Sequence, residues 1–242
     1  MTTLFLEPDN DDNLSVTTEI KATGATKEIF SIIQSDYERL NALTAYLGMK
    51  PIKPRKDFDA DAEKESIKEN AERLISQLWD TDNGVLSGYD VLEYGCTPDS
   101  AAIRAIIKGR VPGAISQGGN NLIVEIGHFT GSQQQIKGKH RERDISIVSD
   151  YPAKYDTTII FEIPEGYTID EKSLADLNRS VTSPEATFNS EAHTDGQKVT
   201  IRIIERYTRS IYAASSWPSI LRPHPTKYVN VRAMAFRANF AS

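Results

Sequence analysis

Cys96 is the one thiol in the sequence, so any cysteine-based nucleophilic chemistry would have to run through it. Such chemistry needs a histidine base and a positive neighbour, such as a helix N-terminus, to favour the thiolate. Thr97-Pro98-Asp99 follows directly and has the composition of a helix start. Against this, Tyr94-Gly95 reads as a strand end, and no neighbouring histidine motif is present. The reading favoured is a small buried or half-buried cysteine. The four histidines, His128, His140, His193 and His224, show no pairing at the spacing of a helical metal motif. His193 stands just before a turn, and His224 lies between Pro223 and Pro225. A metal site needs three or four converging ligands, and none is assigned. The carboxylates have no spacing that marks an acid/base pair. Gly118-Gly119 does not open a helix, so no phosphate loop is assigned.

The aromatic residues offer a different chemistry. Trp79 and Trp217, with Tyr89, Tyr94, Tyr207, Tyr212 and Tyr228, could form a platform for a sugar or peptide. The competing reading, which is favoured, is that these rings fill a core, where aromatics dominate by buried area. No catalytic residue, no metal site and no cofactor is therefore assigned, and the binding residues stay unidentified.

The elements that must position these residues follow from periodicity. In 14–22, Leu14, Val16, Thr18 and Ile20 alternate with polar neighbours, which predicts a strand with one buried face. A helix is expected from Thr26, with Ile29, Ile33, Tyr37, Leu40, Leu43 and Leu47 spaced by three and four. Glu28 suits its start, Gly48 its cap, and Pro51 and Pro54 forbid continuation. A second helix carries the stripe Ile67, Ala71, Leu74, Ile75 and Leu78, a face expected to turn toward the core. From Gly88 the pattern changes to short strands. They are expected at 89–94, 122–126, 145–148, 157–163, 185–193, 198–207 and 228–236. Residues 97–109 admit helix or strand; alternation of Ala101, Ile103, Ala105 and Ile107 favours strand. Asp195-Gly196 between two alternating runs predicts a type I′ hairpin turn.

Composition limits the partners. The net charge is −6, which argues against a nucleic-acid backbone as ligand. The basic clusters at 53–56 and 137–143 read as solvated surface. No apolar run approaches the roughly 20 residues that span a bilayer. The first residues lack the basic start and apolar length of a secretory signal. A single cysteine excludes an internal disulfide and a multi-cysteine zinc site.

Several segments taken in order resemble the β-rich C-terminal region of bacterial transglutaminase-like proteins. Asp12-Asn13-Leu14-Ser15-Val16 with Gly24 is similar to the strand and glycine that follow the family's catalytic core. Gly119-Asn120-Asn121-Leu122-Ile123 resembles the turn and strand before its last domain. Arg143, Pro152 and Ile163-Pro164-Glu165-Gly166-Tyr167 resemble its arginine, its aromatic-proline bend and its strand end. The family's catalytic cysteine, histidine and aspartate belong to a papain-type core with no counterpart in this sequence, so none is carried over. The resemblance implies a non-catalytic accessory or interaction domain. It also implies periplasmic or exported placement within a longer protein. The alternatives are a stand-alone sandwich module for carbohydrate or peptide and, last, an enzyme using Cys96.

The expected fold is α+β. A helical segment with one strand at 1–85 precedes an antiparallel β-sandwich at 86–242. The expected partner is a transglutaminase-like core or a second copy, met through the N-terminal region around residues 14–22, with no nucleic acid and no membrane span.

Overall fold

The first strand in the chain is one that periodicity hides. Thr3-Leu-Phe-Leu-Glu-Pro carries three consecutive apolar residues, yet Leu4 and Leu6 point inward and are buried while Phe5 turns to the other face. The structure is a computed structural model and describes residues 1–9, 13–118, 121–130, 146–148, 152–216 and 235–240. Its elements begin with β1 (Thr2–Pro8), β2 (Leu14–Ala22), α1 (Lys27–Ser31), α2 (Asp36–Tyr46) and α3 (Ala60–Leu78). The chain continues through β3 (Val85–Tyr94), β4 (Ile103–Val111), β5 (Ile115–Gly118), β6 (Asn121–Glu125) and β7 (Ile147–Val148). Then come β8 (Ala153–Glu162), β9 (Tyr167–Ile169), α4 (Glu171–Ala175), β10 (Arg179–Thr182) and β11 (Ala186–Asp195). Last are β12 (Lys198–Tyr207), β13 (Ile211–Tyr212) and β14 (Ala235–Phe240).

Eight strands form one mixed sheet in the order β10-β11-β12-β8-β1-β2-β4-β3. β1 is its hinge of topology: it pairs antiparallel with β2 and parallel with β8, placing Leu4 opposite Ile159 and Leu6 opposite Phe161. This corrects the expected fold class. The protein is mostly β, with 43% strand and 27% helix, and it is not a helical N-terminal segment followed by an antiparallel sandwich. The physical reason is that the first 22 residues supply two central strands, and one of them pairs parallel to a strand about 155 residues away. A second sheet of four strands, β5-β6-β14-β9, and a two-stranded pair, β13-β7, complete the set.

One face of the large sheet is covered. Leu4 and Leu6 of β1, Leu14, Val16 and Ile20 of β2, and Ile103 and Ile107 of β4 share a core with Leu74 and Ile75 of α3 and Val124 of β6. Each such side chain removed from water contributes about 1.5–3 kcal/mol. α3 starts where the Asp59 carboxylate accepts hydrogen bonds from the amides of Asp61 and Ala62 at 3.1 and 3.0 Å. Its expected stripe turns inward, with Ala71, Leu74 and Ile75 buried. It ends on Trp79, which is wholly buried and donates from Nε1 to Thr18 Oγ1 at 3.0 Å. That bond explains a threonine on the apolar face of β2. Gly109 lies against the ring: a Cβ there would stand 2.8 Å from the indole and 2.3 Å from the Val85 carbonyl.

The single helix expected from Thr26 is two. The Ser35 side chain accepts from the Glu38 amide and starts α2 afresh. Ser35 is an N-cap embedded in an apolar periodicity that continues across it, so period alone joins the two. Residues 97–102 form no helix, and the strand expected there begins at Ile103. Thr97 Oγ1 instead accepts from the Ser100 amide at 3.1 Å.

β11 and β12 form the expected hairpin, with Asp195 opposite Lys198. The loop residues are Gly196 and Gln197, and Gly196 has φ +59. Among these only Gly196 is in the left-handed region, which fits a type II′ turn with glycine first and corrects the expected I′ turn. β2 lies between β1 and β4, so residues 14–22 have both edges paired and present no open edge. The edges of the large sheet are β10 and β3.

Candidate functional site

β12 carries the residue around which a site is built. Val199, Ile201 and Ile203 alternate inward and are buried, and the next two positions on that face are Glu205 and Tyr207. A carboxylate thus stands where the pattern calls for an apolar side chain. Register brings Tyr155 of β8 opposite Glu205 on one side and Phe188 of β11 opposite it on the other. The Tyr155 and Tyr207 rings meet edge to face at 6.4 Å between centroids.

Tyr155, Ile203, Glu205 and Tyr207 border a cavity of about 570 Å3 at one end of the covered face. Leu4, Leu74, Phe129 and Ile203, all buried, make its apolar part. Ile29 and Phe30 of α1 and Gln77 and Leu78 of α3 close one side. Thr2, Thr18, Thr130 and Thr157 add hydroxyls, and Lys21, Lys154 and Asp156 also border it. The mixture is that of a small-molecule site, predominantly apolar with a few polar groups.

The two carboxylates of this cavity differ in state. Asp156 accepts a bidentate pair from Arg202, with Nε at 3.0 Å and Nη2 at 2.9 Å, and a further bond from Lys154 Nζ at 3.0 Å. The Arg202 hydrogen bonds, helped by Lys154, bring its pKa down to about 2. Its charge is fully compensated, and Lys154 and Arg202 are spent on it. Glu205 has no ion pair among the described residues. Among those residues it accepts a hydrogen bond from the Tyr207 hydroxyl at 3.4 Å. Burial pushes its carboxyl up to about 7, with Tyr207 opposing the shift weakly. The residue is only half-buried overall, because part of its surface opens into the cavity it lines. Burial, and then the neighbouring Glu205, raise the Tyr207 hydroxyl, which stays protonated and able to donate.

The residues singled out by type lie elsewhere, Tyr207 excepted. Cys96 is half-buried and its Sγ donates to the Arg39 carbonyl at 3.5 Å. It does not line the cavity. His128 has Nδ1 at 3.1 Å from the Asp80 carbonyl and Nε2 at 3.3 Å from Glu125. His193 is exposed near the hairpin end of β11. The rings do not converge into one platform. Trp79 is core, Tyr89 packs against the core, and Tyr212 is buried with its hydroxyl accepting from the Arg209 amide. Tyr94 donates to Glu38 at 2.8 Å, and burial with that bond pushes its hydroxyl up to about 12. Asp12, Gly119, Asn120, His140, Arg143, Ile145, Trp217, His224 and Tyr228, with segments 137–143 and 228–234, lie outside the described residues.

The sequence matches no family model and no curated protein. Among the described residues no group of three or more His, Cys, Asp or Glu is arranged to hold a metal. Among them, too, no helix is long and apolar enough to cross a membrane.

Glu205 and Tyr155 are the site residues that sequence reasoning missed. Glu205 was signalled by Val199-x-Ile201-x-Ile203-x-Glu205, a carboxylate that keeps the phase of the buried face. Tyr155 had no local signal, since only the register of β8 on β12 brings it to Glu205.

Proposed function

We propose that this chain is a non-catalytic binding module that holds a small, mostly apolar ligand in the cavity bordered by β1, β2, β8 and β12. The observation that carries the reading is the cavity itself: about 570 Å3, apolar at its base, with an uncompensated carboxyl on its wall. That volume falls inside the roughly 300–1,000 Å3 of small-molecule pockets. The perturbed carboxyl adds weight, because such groups concentrate at functional sites. In a transglutaminase-like protein the module would serve as an accessory to the catalytic core. That part rests on the resemblance of its ordered segments, among them Ile163-Pro164-Glu165-Gly166-Tyr167.

The test uses N-phenyl-1-naphthylamine, an apolar fluorophore that brightens when removed from water. The intact chain is expected to bind it saturably. Gln77 lines the cavity and is exposed, so Gln77→Trp should narrow the opening and weaken binding at least about tenfold, as expected when a ring's worth of contact is displaced. Thr157→Phe, from the sheet side, should act likewise. Unchanged binding in both variants would place the probe elsewhere and overturn the reading.

A further inference from the structure

We propose that this cavity selects ligands carrying an ammonium group on a small apolar body, with Glu205 as counter-ion and the rings of Tyr155 and Tyr207 beside it. The inference rests on the binding-module reading and names its ligand class.

The geometry points to a missing cation. Along β12, Glu205 is flanked on its own face by Ile203 and Tyr207; across the sheet it meets Tyr155 and Phe188. All four are apolar or aromatic. The charged groups of the surrounding elements are engaged elsewhere or point away. On β8, Lys154 bonds Asp156, and on β12 Arg202 bonds the same carboxylate. On α1, Lys27 Nζ donates to the Gly95 carbonyl at 2.8 Å. In the 126–130 turn, His128 is paired with Glu125. Just before β1, the Met1 amine donates to the Lys21 carbonyl at 2.9 Å. Lys21 of β2 borders the cavity, but it is exposed and its side chain alternates to the sheet's other face from Ile20 and Ala22. α3 lines the cavity with Leu74, Gln77 and Leu78, none of them charged, and Glu185 just before β11 is a further acid.

An ionised Glu205 would therefore stand as a buried charge without its partner, and burial holds it near half-protonated at neutral pH instead. A ligand ammonium supplies what is absent. It forms a charge-assisted hydrogen bond to the carboxylate in a site of low polarity. Aromatic faces within about 6 Å favour cations further. The apolar base, formed by Leu4, Leu74, Phe129 and Ile203, takes the body of the ligand. An anion of the same size would meet Glu205 and gain nothing. A proton leaves Glu205 for solvent as the ammonium enters, so binding and proton release are linked.

Isothermal titration with three matched probes tests this: phenethylammonium, phenethyl alcohol and phenylacetate. At pH 8 the ammonium should bind at least about tenfold more tightly than the alcohol, the scale of one charge-assisted hydrogen bond. Its affinity should fall as the pH is lowered from 8 to 5, and at pH 7 runs in buffers of different ionisation enthalpy should report proton release. Glu205→Gln should abolish the preference and the proton release together, and Tyr155→Leu should reduce the preference. If the alcohol or phenylacetate binds as tightly as the ammonium, or Glu205→Gln keeps the preference, the inference fails while the cavity reading stands. If none of the three binds, both fail.

Discussion

Glu205 sets a pH dependence near neutrality. Its carboxyl ionises near 4.5 when unfolded and at about 7 when folded, because burial disfavours the charge. The folded state therefore holds this proton more tightly. The stability linked to it is fully present below about pH 4.5 and is lost as the pH rises through about 7. The shift corresponds to about 3 kcal/mol between the two limits. Urea midpoints should show Glu205→Gln more stable than the wild type at pH 8 by up to that amount and nearly equal to it at pH 4.5. Equal midpoints at both values would contradict a buried carboxyl. Asp156 acts with the opposite sign. Its pKa is depressed to about 2 by Arg202 and Lys154, so its contribution is present above about pH 4 and is lost as the pH falls toward 2. A second residue-scale prediction concerns Ser190, which is buried on the covered face of β11 with no partner for Oγ among the described residues. An unsatisfied buried hydroxyl costs roughly 1–3 kcal/mol. Ser190→Ala should raise the melting temperature; a fall would mean that the hydroxyl is satisfied.

At the scale of elements, two glycines carry the argument. Gly196 opens the β11–β12 loop at φ +59, with no atom within 4 Å of a Cβ placed there. The cost of substitution is thus conformational, not steric contact. Gly196→Val should destabilise by more than about 1 kcal/mol, measured as a lower denaturation midpoint, since a β-branched residue is strained at positive φ. Gly109 presents the other case: ordinary backbone, but no room beside Trp79 and Val85. Gly109→Ala should cost about 1–3 kcal/mol through overpacking, and should also disturb the Trp79 fluorescence. A wild-type midpoint would show that α3 can shift away from the sheet at little cost. The same elements show what local pattern can reveal. β2 and β12 alternate cleanly, and α3 keeps one apolar stripe, so all three were legible. The break between α1 and α2 was not, because the Ser35 cap sits within an apolar period that spans it.

At the scale of the whole molecule, the illegible part is long-range pairing. β1 joins the halves of the large sheet by lying between β2 and β8. Its run Leu4-Phe5-Leu6 masks the period, and nothing local announces a parallel partner at 157–161. An antiparallel sandwich followed from reading strands one by one. The site shares this limit. Glu205 is visible as a carboxylate in phase with buried positions, but Tyr155 joins it only through the β8–β12 register, and Phe30, Leu74 and Phe129 only through packing.

The central claim, that the cavity is a binding site, is tested most directly by methyl NMR with leucine and isoleucine labelled. Phenethylammonium titrated at pH 8 should shift the methyl signals of Leu4, Leu74 and Ile203 saturably. Ile107 and Leu14, which are core residues outside the cavity lining, should stay in place. Unshifted signals at Leu4, Leu74 and Ile203, or shifts confined to exposed Leu47 and Ile52, would contradict it.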